Sequence, residues 1–532
     1  MRQEPWLESD IWAVMLQHFD YYLFFGPWIF AAGAIVLFLL LQWALVWRCN
    51  PQWSYNLFPS AHYEYASSDR PALLFAAAIF VLYTAVMYAG ENSILSNLDL
   101  MHIGNMTAYQ KGITPVYSSI RMSPLSFWDL NALYAITHNF YLINFYTAAK
   151  MLLILYLAYC LLDFVPVSRR LYGLGLTLLL PSLFWLNSVA FPEQNALIAI
   201  LLSLSAWRKF ARTRRYRWLL VFLLTMNWAI WTKETIVVFY ACIAAVTLVQ
   251  ALLAERINLR SFLHPFRTMA QFPAEWLIFW SAFIFTSFYK LLQDAEGANI
   301  ANIYVSAHQQ DFFATIQIYA LSLLLLAAAV GVMLRQKRRQ KNSNYPQAAV
   351  GLLLGALAVD YLVVFYYGIT PTPAYKPYYL VFSDIVALWW LISADFRWRK
   401  VLLGLLAAAC LLTDAVFAGR ELGRARREAV EFLLEDMQGA PAVVYMPLFS
   451  AGELWQAECW NSALNYLAPQ QKLLFKNNIG AHWVADSYMH TIVTAEPVKG
   501  DYILLINGKT ISLPSGAVKM FASKAAEIYK LQ

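Results

Sequence analysis

Charge is what this sequence has least of. Only 13% of its 532 residues are charged while 60% are hydrophobic, against about 25% charged in an ordinary soluble domain. So few charges cannot clothe a water-facing surface, which excludes a soluble enzyme for most of the chain and makes lipid its solvent. Cysteine is scarce as well. Cys160, Cys242 and Cys410 fall inside apolar runs, Cys49 in a short loop and Cys459 alone near the C-terminus. No pair has disulfide or metal-ligand spacing, so they read as small apolar fillers. No His, Cys and carboxylate cluster has ligand spacing either, and neither a metal nor a cofactor is expected. No cleavable signal peptide is visible: MRQEPWLESD is acidic, and the first apolar run is too long for an h-region. Internal repeats, the usual mark of a transporter, are missing.

Apolar runs dominate what is there. Twelve segments of spanning length or slightly less occur at 24–47, 71–90, 144–165, 171–188, 194–207, 218–232, 235–253, 275–292, 313–334, 347–367, 378–394 and 401–419. Basic clusters follow the third (Arg169, Arg170), the fifth (Arg208 to Arg217), the seventh (Arg256, Arg260, Arg267), the ninth (Arg335 to Lys341) and the eleventh (Arg397, Arg399, Lys400). All follow odd-numbered segments, so the positive-inside rule places these loops in the cytoplasm. The net charge of +7 is thereby spent on membrane orientation, and no nucleic-acid partner is expected. Both termini and the long loop 91–143 then face outward. The expected fold is a polytopic α-helical membrane protein of about twelve transmembrane helices over 1–419, followed by an amphipathic interfacial helix at 420–437. Residues 438–532 are expected to form a small soluble α/β domain outside the cytoplasm. Its strand signals are Ala442 to Met446, Lys472 to Lys476 and Tyr502 to Ile506, with a turn at Asn507-Gly508.

Four outward-facing stretches carry residues suited to chemistry. The loop 91–143 holds Glu91, Asp99, His102, Lys111, Arg121, Asp129 and His138, and a loop this long is usually functional or separately folded. Asp99 is its leading candidate, read either as a catalytic carboxylate or as a solvated acid; His102 is a candidate substrate contact. Phe191-Pro192-Glu193 starts a helix, where Glu193 either serves the helix dipole or lines the same cavity as Asp99. Trp231-Thr232-Lys233-Glu234-Thr235 puts two charges at the edge of hydrocarbon, costly unless paired or functional. Lys233 there can bind a phosphate as a point charge, or the pair can be an interfacial hairpin. The turn Tyr366 to Tyr379 is stiffened by prolines; Tyr375 and Tyr378 can stack on sugar faces, and Lys376 adds a cation.

Taken in order, the acid after an early span, R-x-x-P-L-S, F-P-E, T-K-E-T, a late Y-x-K-P-Y-Y turn and a closing soluble domain form a recognisable layout. Over roughly residues 71–400 it resembles the GT-C superfamily of integral-membrane glycosyltransferases, in particular bacterial relatives of aminoarabinose and protein-mannose transferases. The resemblance implies a bacterial inner-membrane enzyme with its active site and C-terminal domain on the periplasmic side. It implies a polyprenyl-phosphate-linked sugar as donor and a glycan, lipid or protein hydroxyl as acceptor, with inversion at the sugar. The family's first-loop carboxylate corresponds to Asp99 as general base, with Glu193 beside it. Lys233, Arg121 and Lys376 correspond to the donor-phosphate cations, and Glu234 joins His102, Tyr375 and Tyr378 as substrate contacts. Two departures are visible: the family's loop often has two adjacent acids where Leu100 follows Asp99, and the run at 24–47 precedes the usual start of the shared core. The alternatives are an O-antigen polymerase or ligase, which usually places its large outer loop late, and a lipid-linked glycan transporter or flippase.

Overall fold

The structure is a computed structural model that describes residues 61–89, 129, 133, 140–185, 192–253, 272–296, 320–339, 345–361, 380–418, 422–437, 442–446, 473–476, 498–506, 511–523 and 526–532. A short 3-10 turn, Ser67–Asp69, leads into helix α1 (Arg70–Ala89). There follow α2 (Phe140–Leu161), α3 (Val167–Leu178), α4 (Pro181–Trp185), α5 (Pro192–Thr213), α6 (Tyr216–Thr232) and α7 (Ile236–Leu253). The later helices are α8 (Pro273–Glu296), α9 (Ala320–Arg339), α10 (Tyr345–Tyr361), α11 (Val381–Ser393), α12 (Arg399–Ala418) and α13 (Leu422–Met437). Every apolar run that falls within the described residues is therefore helical. The run at 24–47 and the Asn507-Gly508 turn lie outside them.

The run at 171–188, expected as one helix, is divided into α3 and α4. Leu179 and Leu180 donate to Leu176 O and Thr177 O in tightened 3-10 fashion, and Pro181 has no N–H with which to continue the ladder. Among the described residues one helical stretch, Ser67–Ala85, is long and apolar enough by itself to cross a membrane. Shorter apolar helical stretches occur at Phe145–Leu161, Ile236–Val249, Ala320–Arg335, Val350–Asp360 and Val381–Ser393.

The helices share one apolar core. Helix α5 packs between α2 and α6, α7 lies against α10 and α8, and α11 is covered by α3, α9 and α10. Two glycines on α10 permit its closest crossing: a Cβ at Gly355 would stand 2.7 Å from Phe239 O on α7, and one at Gly351 would stand 3.3 Å from Val246. Small residues at such a crossing let the backbones approach where dispersion is the main attraction. The outward surfaces are apolar too. Leu324 is 68% exposed and Leu412 69%, and Phe145, Leu224, Phe283 and Leu405 are comparably bare.

Charged contacts between helices gather at two opposite ends. At one, Asp163 pairs with Arg208, with Arg212 at 3.8 Å and with His62 at 2.9 Å, while Asp395 takes Arg399 at 3.1 Å and Arg169 at 3.7 Å. These residues sit at the C-terminal ends of α2, α5 and α11 and the N-terminal ends of α3 and α12. At the other end lie the N-termini of α5, α7 and α11 and the C-termini of α6 and α10. The α5–α6 turn is tight because Arg214 adopts a left-handed φ of 56° and donates its N–H to Phe210 O.

The C-terminal residues form a five-stranded mixed sheet of order β2-β1-β3-β5-β4. Its strands are β1 (Ala442–Tyr445), β2 (Leu473–Lys476), β3 (Tyr502–Ile506), β4 (Ala517–Ala522) and β5 (Ala526–Leu531). β1 runs parallel to β2 and β3, and β5 antiparallel to β3 and β4. The first three strands fall on the expected segments; the last two had no clean alternation to mark them. Helix α13 packs on this sheet. It buries Ala429, Val430, Leu433 and Met437 and stacks Phe432 on Phe521 at 5.0 Å. Its apolar face is thus packed against the sheet.

Asp436 locks α13 in place by accepting hydrogen bonds from Tyr502 Oη at 2.6 Å and Lys530 Nζ at 2.8 Å. The Lys530 and Tyr502 donors hold its carboxyl below the usual carboxylate range. A depressed native pKa contributes stability that is present above the unfolded carboxylate value, about 3.9, and is lost as pH falls through the native value. Asp436→Asn in the full chain should therefore weaken amide-exchange protection of β3 and β5 at pH 7, and the difference from wild type should vanish under strong acid. An equal loss at both pH values would disprove the lock.

Candidate functional site

Three adjacent helix junctions build the polar end of the bundle. Pro192 opens α5 with a preset φ, and Glu193 follows in the first turn, where the helix dipole favours an acid. Between α6 and α7 the chain turns through Lys233, whose extended φ of −148° ends α6. Lys233 Nζ forms a buried ion pair with Glu193 and lies 5.9 Å from the Phe382 ring. Glu234 and Thr235 are buried beside it. Lys233 therefore pairs with a carboxylate from another helix rather than only with its sequence neighbour.

At the third, the C-terminal end of α10 meets the N-terminal end of α11. Asp360 stands in the last turn of α10, where the dipole disfavours an acid. The opening turn of α11 compensates, because the Ser383 N–H donates to Asp360 Oδ2 at 2.9 Å. Lys233 and Asp384 are both within electrostatic range of Asp360. Asp384 accepts from Ser182 on α4 at 2.7 Å and Ser322 on α9 at 3.0 Å. The oxygens Glu193 Oε2, Asp360 Oδ1 and Thr235 Oγ1 in this region are buried and take no hydrogen bond from the described residues.

A second buried pair, Asp129 with Lys150 at 3.1 Å, adjoins the first through Asn195, whose Nδ2 donates to Asp129 Oδ1 at 2.8 Å. An apolar cavity of about 70 Å³ runs through the bundle interior, from Leu197 and Phe382 toward this end to Leu161, Leu162 and Phe164 beside Asp163 at the other. Leu197, one turn beyond Glu193, and Phe382, which faces Lys233, are among its walls, with the rest drawn from α2, α5, α7, α10, α11 and the residues that follow α2. Among the described residues no three His, Cys, Asp or Glu side chains are grouped as a metal ion would require.

The structure brings together Glu193, Lys233 and Glu234 of the expected site. Asp99, His102, Arg121, Tyr375, Lys376 and Tyr378 lie outside the described residues. Asp360, Asp384, Lys150 and Asn195 were not singled out as site residues, although an ionisable group within an apolar run always needs a partner. That signal marks Lys150, Asp360 and Asp384 in the sequence; it does not say which partner each one meets. No protein-family model matches this chain, and no curated protein is significantly similar to it.

Removing one member of a buried pair leaves the other charged without compensation, at a cost of about 3–5 kcal/mol, whereas apolar replacement of both members is often neutral. Lys233→Met or Glu193→Leu alone should therefore lower thermal stability in detergent sharply, and the double variant should recover most of the loss. A single Lys233→Met costing less than about 1 kcal/mol would show that the pair is not desolvated.

Proposed function

We propose that this chain is a GT-C-type glycosyltransferase of the bacterial inner membrane, moving a sugar from a polyprenyl-phosphate donor to an acceptor hydroxyl on the periplasmic side. The observation that carries the proposal is the set of buried oxygens on Glu193, Asp360 and Thr235 that take no hydrogen bond from the described residues, at one end of a bundle whose interior holds an apolar cavity. Such oxygens suit a ligand rich in hydroxyl donors, and the apolar walls suit an aliphatic chain; a lipid-linked sugar has both. The bare leucines and phenylalanines on the helix surfaces fit a lipid solvent. The arginine-rich end, opposite the site, fits the cytoplasmic side.

In this mechanism Asp99 takes the proton from the acceptor hydroxyl as its oxygen bonds to the anomeric carbon. The bond from that carbon to the phosphate oxygen breaks, its electron pair leaves with the phosphate, and the sugar inverts. Arg121 and Lys376 are the cations assigned to that phosphate, supplying electrostatic stabilisation where negative charge grows. Lys233 already faces Glu193 and has Asp360 in range, so phosphate reaching it must displace a carboxylate. Its first role is to orient Glu193, whose second oxygen then receives a sugar or acceptor hydroxyl. No cofactor takes part. The buried acids Asp360 and Asp384 favour a second reading, a transporter or flippase of lipid-linked glycans, since ionisable groups within apolar helices commonly mark ion pathways.

Topology is tested by reporters fused at Gln532. One active only in the cytoplasm should be silent there and active when fused after Arg338; strong cytoplasmic signal at Gln532 would invert the proposed orientation.

The reaction is tested with purified protein in lipid nanodiscs, defined polyprenyl-phosphate sugars and candidate acceptors. Acceptor mass should rise by one sugar, and Asp99→Asn should lower turnover by roughly 100-fold or more with donor binding nearly unchanged. Near-normal turnover in Asp99→Asn reassigns the base. Movement of intact donor across the bilayer with no glycosylated product selects the transporter.

A further inference from the structure

We infer that the α5–α6 turn and the outward face of α6 form a docking surface for an anionic glycerophospholipid. Lys209, Arg215 and Arg217 hold its headgroup, and its acyl chains run down Leu220 and Leu224. The inference rests on the membrane reading of the bundle and is independent of the sugar-transfer assignment.

Between Glu193 and Glu234 the chain has no acidic residue, while Arg208, Lys209, Arg212, Arg214, Arg215 and Arg217 crowd together within it. Half of these cations are compensated. Arg208 pairs with Asp163, Arg212 lies 3.8 Å from the same carboxylate, and Arg214 is within electrostatic range of Glu275. Lys209, Arg215 and Arg217 are exposed and form no ion pair among the described residues.

The backbone sharpens the demand for an anion. Helix α6 starts with Arg215 as its N-cap, takes no side-chain cap and has no acid in its first turn. The positive end of a helix dipole favours negative charge, and Glu193, Glu275 and Asp384 supply it in the first turns of α5, α8 and α11. At α6 cations stand where those helices carry acids, so the compensating anion is not on the helix itself.

The cations are gathered rather than dispersed. Lys209 Nζ lies 4.4 Å from the centre of the Trp218 ring and Arg217 Cζ 5.3 Å from it, so one indole orders both through its π face. The left-handed turn at Arg214 brings α5 and α6 round tightly enough for residues from both to meet that ring.

The same face continues in apolar residues. Arg217, Leu220 and Leu224 follow at spacings of three and four, which puts them on one side of α6, and both leucines are exposed. The strip from Arg217 to Leu224 is about 10 Å long. Cations with an apolar strip directly behind them match an amphiphilic anion, with phosphate against the guanidinium groups and methylenes against the leucines. A small soluble anion would leave the strip uncovered. Trp218, half-buried between the two zones, suits the boundary between headgroup and acyl chain.

The test uses the full chain, delipidated in mild detergent. Native mass spectrometry and thermal melting are read against added phosphatidylglycerol and phosphatidylcholine of identical acyl chains. Phosphatidylglycerol should remain bound and raise the melting temperature more than phosphatidylcholine. Lys209→Gln, Arg215→Gln and Arg217→Gln together should weaken phosphatidylglycerol by about tenfold or more and leave phosphatidylcholine unchanged. Arg335→Gln, Arg397→Gln and Lys400→Gln remove the same charge from other basic segments and should weaken it by less than about threefold. Glycerol phosphate, which lacks the chains, should compete only at roughly 100-fold higher concentration. Equal retention of the two lipids, equal loss in the two triple variants, or equal competition by glycerol phosphate overturns the inference. Should the first triple variant fail to fold, Arg217→Gln alone should still weaken phosphatidylglycerol several-fold, and unchanged affinity there overturns it too. A chain that stays dispersed in water without detergent would sink the membrane reading, and the inference with it.

Discussion

Glu193 and Lys233 can be buried at the end of an apolar bundle only because each faces the other. A lone charge among these helices would cost several kcal/mol, so the position of one residue dictates that of the other, and with them the meeting of α5 with the α6–α7 turn. The same constraint recurs at Asp129 with Lys150 and at Asp360 with the first turn of α11. Each contact joins elements distant in sequence. Together they draw the start of α5, the α6–α7 link and the α10–α11 junction into one polar region. The interior away from the two ends is held mainly by apolar packing, with small hydroxyl and amide contacts such as Ser203 with Tyr240.

The opposite end obeys the constraint with different residues. Arginines there outnumber the acids, and Asp163 alone gathers Arg208, Arg212 and His62. The two ends therefore differ in charge as well as in geometry. Among the described residues, the site end has more carboxylates than cations and carries acceptor oxygens without a protein donor, suited to hydroxyl donors. The other end has an excess of guanidinium groups, suited to anionic lipid headgroups.

The C-terminal domain solves a separate problem. Five short strands have little core of their own, and α13 closes one face through Leu433, Phe432 and the Asp436 contacts. The amphipathic pattern of α13 was plain in the sequence, yet a lipid surface and a sheet present the same demand to such a helix. Phe521, Tyr502 and Lys530 on the facing strands supply the contacts that seat it on the sheet.

By itself, the sequence determined the helical nature of the apolar runs, the sites where basic loops cluster, three of the five strands, and Glu193 and Lys233 as residues of interest. These are local properties: length and hydropathy select a helix, and a charge at the edge of an apolar run announces its own cost. Tertiary structure decided the partners. That Lys233 meets Glu193 forty positions away, that Asn195 joins Asp129, and that Asp384 is held by Ser182 and Ser322 follows from helix packing, which no local pattern records. The close α7–α10 crossing at Gly355 is of the same kind, since a glycine in an apolar run does not say which backbone will approach it. An electrostatic cost can be read from one residue, but its compensation requires two, and the second is chosen by the fold.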